Sequence, residues 1–571
     1  MTEVMYGKDG GSNSNKFDTL QKRAQSTIKK AKALAESQNQ VSGVLPTLVE
    51  YVFKQVLSSL KVQFTQCLCE ADQCIATLAQ KWKYPVLSDD SDFYIFDIEE
   101  GCLPISGFQW KEQSVSDQKH ICCQLYTTES FSKEFKINKQ LLPVFAVMAG
   151  NDNVNLHIWW GDNEDKPQIV NKQVKQAADR FPTFKRLLKW LASFNELREA
   201  LASVPSLITH PKSDALSKGI EEYQIPPTLP SYLEEFFNND VAPSRKCLPD
   251  HLSVLPDWTV LLLMKGRLSS CIVNVLLHKR MIHRVQVEDF GRPSGYTTSL
   301  YIRQVLYGLL LVERPAVKED DSKGQKRADP SSQSPPEVYV EEYYRKDTQL
   351  VKTKVKAILP SGAQQLQLAT LDQAPESERL EVFLETLGVS QSTLNGLPLH
   401  LRLCVAVTCY WLRRARPRPD RPLLQALLLG LVYGELCRQR KSQRDEGPVL
   451  ERLVGLIQRG ARGLDLGVAH AYSQWQCCMR DGLNLNQLLC FPLPEPQCAW
   501  LYRGTLVHQL VAELRRGVNP DSLLMEDPPS EQLYKSMMEN LKDDCKDTGG
   551  SGKANPEDDQ GFKEGKRGKH K

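Results

Sequence analysis

Between residues 61 and 105 an extended run is followed by a helix and then by three short apolar runs, and this order limits the fold more than any other part of the chain. Residues 61–66 favour a strand and residues 71–82 favour a helix, and the apolar runs lie at 85–87, 93–98 and 102–105. A strand that returns after a crossover helix lies parallel to the one before it. We therefore predict an α/β fold with a mostly parallel sheet.

Composition and patterning divide the chain into five regions. The first, residues 1–160, contains the strand-and-helix segment and is predicted to be one domain, with a basic helix at about 16–34. The other regions are a helical extension at 161–313, a polar linker at 314–345, a helical region at 346–530 and a basic-ended tail at 531–571. The tail lacks apolar periodicity, so we expect it to be disordered.

Bulk composition excludes several classes of protein. The net charge of +3 is too small to indicate nucleic-acid binding, so such an argument depends on local patches. The 16 cysteines lack the spacing of zinc ligands, which favours reduced, mostly buried thiols. The start of the chain has no apolar secretory segment, and the longest apolar run, 423–432, is too short to cross a bilayer. We expect a soluble intracellular protein without a membrane partner.

Carboxylates gather at the ends of the predicted strands. Glu70 and Asp72 lie between the first strand and its helix, and Asp90 and Asp92 follow the next strand. Asp152 closes an apolar helix whose last residues read VMAGND. Because ligands bind at the carboxyl ends of parallel strands, these side chains are expected to share one site.

Such crowded carboxylates repel one another, and divalent cations relieve that repulsion. Mg²⁺ takes oxygen ligands, and two such ions about 4 Å apart activate water and stabilise the leaving oxygen in phosphodiester cleavage. The alternative is that each aspartate is a solvated turn or helix-capping residue, as single aspartates more often are. Asp89 illustrates this alternative, because its side chain is expected to point away from that of Asp90.

Residues 69–110 resemble the internal domain of the flap-endonuclease/XPG superfamily in its asteroid form. That superfamily carries an acidic pair that opens a helix, a second acidic pair after the following strand, and a hydrophobic helix that ends in Gly-x-Asp. The similarity continues through residues 141–156, 472–496 and 501–510. The chain is identified as a member of the asteroid family. The resemblance implies a PIN-like/XPG nuclease domain with an internal segment at about 44–152, followed by an all-α C-terminal region.

The resemblance also implies roles for individual residues. Two Mg²⁺ ions, with Mn²⁺ as the alternative, would be held by Asp9, Glu70, Asp72, Asp90, Asp92 and Asp152. Lys16 and Arg23, on the helix that corresponds to the superfamily's arch, would steer the scissile phosphate. DNA would be bound by Lys22, Arg23, Lys29, Lys30 and Lys32, although a lysine-rich helix is usually just a solvated face. The loop 413–422 is also basic, and a solvated loop is its default interpretation.

This sequence departs from the superfamily in two places. Members begin with a Met-Gly-Ile-Arg-Gly-like sequence and a strand that carries the first catalytic aspartate, and this chain has neither, as if it were truncated. The Gly-Ile-Gly turn that grips duplex DNA is also missing after Asp152. We therefore expect a substrate preference different from that of flap endonucleases.

Two functions are compatible with these observations. The first is a structure-specific DNA endonuclease of the asteroid family, which hydrolyses phosphodiesters with two metals during DNA repair. It would act in the nucleus, with the cytoplasm as an additional location, on DNA with single-stranded or branched ends. The second is a non-catalytic interaction protein on a degenerate nuclease fold, linked by resemblance to epidermal growth factor receptor signalling, with the helical half as its docking platform. The retained acidic pairs favour the nuclease, because a scaffold has no need of mutually repelling carboxylates.

Overall fold

The computed structural model of the protein describes residues 2–5, 14–36, 43–68, 71–109, 121–150, 177–204, 213–228, 231–241, 243–248, 250–312, 337–439, 447–459 and 463–542. Most of these residues are helical, and the strands form small sheets. None of the helices in these ranges is long and apolar enough to cross a bilayer. The helices are α1 Ser14–Glu36, α2 Val49–Ser59, α3 Ala71–Trp82, α4 Thr128–Phe135, α5 Leu142–Ala149, α6 Ala177–Leu191, α7 Leu197–Ser203, α8 Ser213–Glu221, α9 Ser231–Asn239, α10 Asp257–Met264, α11 Cys271–His278, α12 Leu300–Leu311, α13 Glu376–Leu387, α14 Leu399–Arg414, α15 Arg421–Gln439, α16 Pro448–Gln458, α17 Leu466–Leu488, α18 Gly504–Arg515, α19 Pro520–Leu524 and α20 Pro528–Asn540.

Parallel strand pairs are present near the start of the chain, as predicted, but they belong to separate sheets. The strands are β1 Thr2–Met5, β2 Gln63–Gln66, β3 Val86–Leu87, β4 Cys102–Leu103, β5 Arg280–Ile282, β6 Tyr339–Lys346 and β7 Gln349–Lys356. β1 pairs in parallel with β2, and β3 pairs in parallel with β4. Within the described residues β2 and β3 do not pair with each other. A single larger sheet of PIN-like type therefore stays a prediction.

Residues 93–98, which were predicted to be extended, instead continue from a 3-10 helix at Ser91–Tyr94 into a turn. Phe93 and Phe96 are both buried, and their ring centroids are 6.0 Å apart. Side chains three positions apart point to opposite faces of a strand but to the same side of a helical turn. The prediction was wrong because it followed the apolar run and not this spacing.

Two hydrophobic cores organise the described residues. The smaller core is built from side chains between residues 76 and 223, and the larger one joins side chains from residues 48–78 to others from 233–541. Different side chains of α3 belong to each of the two cores, so this helix connects them. The described cysteines are free thiols, and most of them are buried.

The basic helix α1 is seated on the hairpin formed by β6 and β7. Its Phe17 ring is buried, with its centroid 5.1 Å from that of Tyr343 on β6. The Gln25 side chain donates to the carbonyl oxygen of Thr348 and accepts from the amide nitrogen of Leu350, each at 2.8 Å. These contacts fix which face of α1 is turned outward.

The same hairpin corrects the prediction of an all-α C-terminal region. β6 begins at Tyr339, inside the predicted linker, and runs antiparallel to β7. Its sequence, YVEEYYRK, reads as polar, yet Glu342 is fully buried because Arg303 donates to both of its carboxylate oxygens, at 2.6 and 2.9 Å. Buried charges are tolerated when they are paired in this way. At the other end, α20 continues to Asn540, past the predicted start of the tail at 531, and residues 543–571 lie outside the described residues.

Candidate functional site

The second acidic pair lies directly after β3, at the start of the 3-10 helix. Asp90 is the residue that caps this helix, and its carboxylate accepts a hydrogen bond from the amide nitrogen of Asp92 at 3.2 Å. The amide nitrogen of Asp90 donates to the hydroxyl of Ser88 at 3.0 Å. Both aspartates are thus anchored to the end of a parallel strand, although the capping bond is also what a purely structural aspartate would make.

A turn after α8 holds Asp92 and the start of α3 together. The hydroxyl of Tyr223 donates to the Asp92 carboxylate at 3.1 Å. The side-chain amide of Gln73, in the first turn of α3, donates to the carbonyl oxygens of Glu221 and Gln224, at 3.1 and 3.3 Å. One turn thus contacts both Asp92 and the residue that follows Asp72. No local pattern in the sequence points to Tyr223, which lies 131 positions from Asp92.

Asp89 makes a different contact from those of Asp90 and Asp92, as expected. It accepts a hydrogen bond from the amide nitrogen of Ser106 at 3.0 Å and is exposed. It therefore ties the loop after β4 to the end of β3, and it provides a natural control for its acidic neighbours.

Three of the predicted metal ligands, Asp9, Glu70 and Asp152, lie outside the described residues. The described part of the chain contains no group of three or more His, Cys, Asp or Glu side chains that could hold a metal ion. Mg²⁺ is commonly held by one or two carboxylates and several waters. The carboxylates of Asp90 and Asp92 fit that ion as donors, and the six-ligand site stays a prediction.

A large cavity has Tyr223, the hydrogen-bond partner of Asp92, in its wall. Its volume is about 850 Å³, and its wall includes Tyr223, Ile95, Ile220 and Ile225 together with the ion pair of Asp97 and Lys139, whose charged atoms are 2.8 Å apart. The hydrogen bond to Asp97 raises the pKa of Lys139. Tyr223 thus contributes its hydroxyl to Asp92 and its side chain to the cavity wall.

The predicted DNA-binding residues of α1 share its outward face. Lys22, Arg23, Lys29 and Lys30 are exposed, and Lys32 is partly buried, with its ammonium 3.5 Å from the Glu36 carboxylate. The side chain of Lys16 lies outside the described residues. The outward side chains are one run of positive charge on a helix that the hairpin holds in place.

A second cavity, of about 350 Å³, lies beneath α1 and was not predicted from the sequence. Arg23, Arg284, Arg480, Glu50 and Tyr51 are among the residues that line it. Arg480 belongs to the segment 472–496, where the resemblance to the family is clear, but no pattern there singles out this residue. We call this space the arginine cavity.

The basic loop 413–422 uses several of its arginines structurally. Arg413 donates to the carbonyl oxygens of Leu387 and Gly388, at 2.9 and 2.6 Å, and so caps the end of α13. Arg416 donates to the carbonyl oxygens of Arg413 and Ala415, both at 2.9 Å. Cations are favourable at the end of a helix where carbonyls lack partners. These contacts favour the structural interpretation of the loop.

Comparison with known proteins gives long matches. "Single-strand DNA endonuclease ASTE1" of Danio rerio is 42% identical to this chain over 541 residues, which are 93% of this chain and 74% of that protein. The protein of the same name from Homo sapiens is 35% identical over 552 residues, covering 92% of this chain and 78% of the relative. "Protein asteroid" of Drosophila melanogaster is 34% identical over 91 residues, which are 16% of this chain and 10% of that protein.

A family model described as the Asteroid N-terminal domain matches residues 449–548. That range includes α16 to α20 and the segment that carries Arg480. No solved structure matches the chain.

Proposed function

Since this chain belongs to the asteroid family, we propose that it is an endonuclease that cuts single-stranded DNA. Support comes from relatives that carry this name in Danio rerio and Homo sapiens and that match 93% and 92% of the chain. The observation that carries the proposal is the anchored pair of Asp90 and Asp92 at the end of β3, where the Tyr223 hydroxyl fixes Asp92. Two carboxylates held at a strand end suit phosphodiester hydrolysis assisted by a divalent cation.

We propose that Asp72, Asp90 and Asp92 act with Asp9, Glu70 and Asp152 to hold two Mg²⁺ ions, with Mn²⁺ as the alternative. When bound, such ions supply an activated water and stabilise the leaving oxygen. The chain's own part is to hold the carboxylates in position: the 3-10 helix orients Asp90, and Tyr223 orients Asp92. Lys16 and Arg23 of α1 would orient the phosphate, because a cation at that place balances its charge.

The outward face of α1 would bind the sugar–phosphate backbone. Lys22, Lys29 and Lys30 are exposed on a rigidly seated helix, so they can meet phosphates without a change of fold. Such contacts do not depend on base sequence. They weaken with added salt, because binding releases counterions from the DNA and that release is less favourable at higher salt. The lack of a Gly-Ile-Gly turn in the sequence argues against the duplex grip of flap endonucleases and for single-stranded or branched ends as substrate. By resemblance, we further propose a role in nuclear DNA repair.

Asp90→Asn is the first variant to test. It removes a negative charge from the acidic pair while it keeps the side chain's size and its capping hydrogen bond. We expect cleavage of a labelled single strand in Mg²⁺ to fall by about 100-fold or more, in the range seen when one catalytic electrostatic group is lost. Asp89→Asn is the matched control, and it is expected to cut within about twofold of the unchanged protein.

A thermal unfolding measurement separates this proposal from a non-catalytic scaffold. Mg²⁺ that binds the folded state raises Tm, so the unchanged protein should be stabilised and the variant Asp90→Asn less so. If Asp90→Asn cut DNA at an unchanged rate, Asp90 would not be part of the catalytic site. A protein that neither cuts nor responds to Mg²⁺ would favour the scaffold.

A further inference from the structure

The arginine cavity combines a positive lining with few negative groups. Arg284 donates to Glu50 at 2.6 Å, and Lys54 pairs with the other oxygen of the same carboxylate at 3.0 Å. Among the described residues that line the cavity, Glu50 is the one carboxylate, against the guanidinium groups of Arg23, Arg284 and Arg480. The lining therefore carries an excess of positive charge.

Arg480 makes no ion pair of its own with any described residue there, and the charge of Asp481 stabilises it from a longer distance. It is partly buried on α17, and its hydrogen-bond partner within the described residues is the Tyr296 hydroxyl, at 3.2 Å. No described carboxylate lies within ion-pair distance of it. The adjacent Asp481 points the other way, with its carboxylate bonded to Arg303 and Ser299 at 3.1 and 2.7 Å.

Arginine keeps its proton at any physiological pH and carries five N–H donors. Arg480 uses one hydrogen-bond partner and no ion pair within the described residues, so it has donors left for a ligand. A phosphate, with several negatively charged oxygens, is the kind of group that such donors bind.

We propose that the arginine cavity binds the phosphorylated end of a DNA strand, with Arg480 and Arg284 as its phosphate ligands. Planar guanidinium groups match the geometry of phosphate oxygens and bind them through paired hydrogen bonds. This inference rests on the proposed function, because it takes DNA as the ligand.

The position of the cavity fits a strand end. Arg23 belongs both to its wall and to the basic outward face of α1, so a backbone lying on Lys22, Lys29 and Lys30 leads to the opening. A space of about 350 Å³ lies at the small end of the range for ligand pockets. It has room for about one nucleotide, so a strand end enters it and a continuous duplex does not.

The ring of Tyr51 and the aliphatic side chains of Leu20 and Leu45 supply apolar wall near these charges. A nucleotide presents a flat base beside its phosphate, and such a base is favourable against apolar and aromatic groups. The cavity thus offers charge for the phosphate and apolar surface for the sugar and base.

The test is a binding titration in EDTA, followed by fluorescence anisotropy, so that no cleavage takes place. Three single strands of one sequence are compared: one with a 5′-phosphate, one with a 3′-phosphate and one with hydroxyls at both ends. We expect one of the phosphorylated strands to bind about tenfold or more tightly than the hydroxyl strand, as for one charge-assisted contact. Arg480→Gln should remove that difference and leave the affinity for the hydroxyl strand within about threefold. Arg516→Gln, in an exposed arginine at the end of α18, should preserve it.

Inorganic phosphate gives a second measurement that does not need DNA. It should raise Tm of the unchanged protein more than that of Arg480→Gln, whereas general salt effects are the same in both. Without phosphate, Arg480→Gln should unfold at a similar Tm, since Arg480 makes no ion pair of its own within the described residues. A lower Tm together with unchanged strand preference would show that Arg480 is structural and would overturn the proposal.

These outcomes separate this inference from the proposed function. Phosphate-end binding without any cutting in Mg²⁺ would contradict the endonuclease alone. Cutting that depends on Asp90 but shows no effect of Arg480→Gln on end preference would contradict the arginine cavity alone.

Discussion

Tyr223 shows how a single distant residue can control the candidate site. Its hydroxyl donates to Asp92, while its ring packs against Phe96 with centroids 5.5 Å apart. The packing and the hydrogen bond can be separated, because phenylalanine keeps the ring and removes only the donor. Loss of that donor removes one of the contacts that hold the Asp92 carboxylate, so its position relative to Asp90 becomes less defined.

Tyr223→Phe is therefore expected to lower the cleavage rate by about 5- to 30-fold, the effect of one hydrogen bond to a charged group of roughly 1–2 kcal/mol. The free energy of unfolding should change by about 1 kcal/mol or less, as measured with urea. Tyr472→Phe is the control, since its buried hydroxyl donates to the carbonyl oxygen of Leu423 at 2.9 Å, far from Asp92 in the sequence. Equal loss of activity in the two variants would show that Tyr223 acts through stability alone.

The sequence predicts which acidic side chains form this site, but it does not predict the contacts that hold them in position. The i, i+2 spacing of Asp90 and Asp92 after an apolar run is a local pattern, and both lie just after β3, at the start of the 3-10 helix. Tyr223 and Arg480 reach their sites through long-range packing, and a single sequence contains no pattern that records such contacts. The same limit applies to Glu342, whose burial depends on Arg303.

At the scale of elements, local patterns succeed where one side of an element is apolar. The helix predicted for 71–82 has the bounds of α3, Ala71–Trp82, and the helix predicted for 16–34 lies within α1, Ser14–Glu36. The extended run predicted for 61–66 contains β2. The hairpin of β6 and β7 was missed because its buried face includes Glu342 and Arg345, and charged residues favour an exposed loop in any pattern based on hydrophobicity.

Two glycines within helices test how closely the elements of the larger core pack. A Cβ at Gly434 of α15 would lie 1.8 Å from the carbonyl oxygen of Trp500, whereas a Cβ at Gly455 of α16 would have no atom within 4 Å. Neither residue has a positive φ, so alanine suits both backbones. The two substitutions therefore add the same methyl group to different surroundings.

Gly434→Ala is expected to lower the free energy of unfolding by about 2–3 kcal/mol, since backbone must move to admit the methyl group. Gly455→Ala should raise it by about 0.5–1 kcal/mol, because alanine is the better helix former in open space. Urea denaturation of both variants measures the difference. If Gly434→Ala were as stable as Gly455→Ala, α15 and the turn at Trp500 would not be in close contact.

At the scale of the whole molecule, two charged networks lie inside the larger core. Arg303 joins Glu342 to Asp481 of α17, and Arg345 binds Glu288 at 2.8 Å. Burial would raise the pKa of Glu342, but the Arg303 guanidinium holds it well below its usual value. The networks connect β6, α12 and α17, elements that are far apart in the sequence. Neither composition nor periodicity predicts that distant segments of the chain are joined by buried ion pairs.

Each network contains a buried histidine that is kept neutral. Burial lowers the pKa of His283, against the opposing effect of Glu342, and burial likewise lowers the pKa of His470, against that of Glu288. The two rings are almost fully buried. Below the unfolded-state pKa of about 6.5, the unfolded chain binds protons that the folded protein does not. Stability is therefore fully present above about pH 6.5 and declines as the pH falls.

The expected result is a free energy of unfolding that decreases from about pH 7 to pH 5. One histidine contributes a slope of up to roughly 1.4 kcal/mol per pH unit, which is the value for one proton. His470→Gln should reduce the slope by up to this amount, whatever its effect on stability at pH 7, and His251→Gln, in an exposed histidine, should not. Urea denaturation at half-unit steps of pH measures the slopes. Both histidines lie beside carboxylates that bind arginine. An unchanged slope in His470→Gln would mean that the Glu288 network accepts the proton without loss of the fold. That network would then be stable in acid.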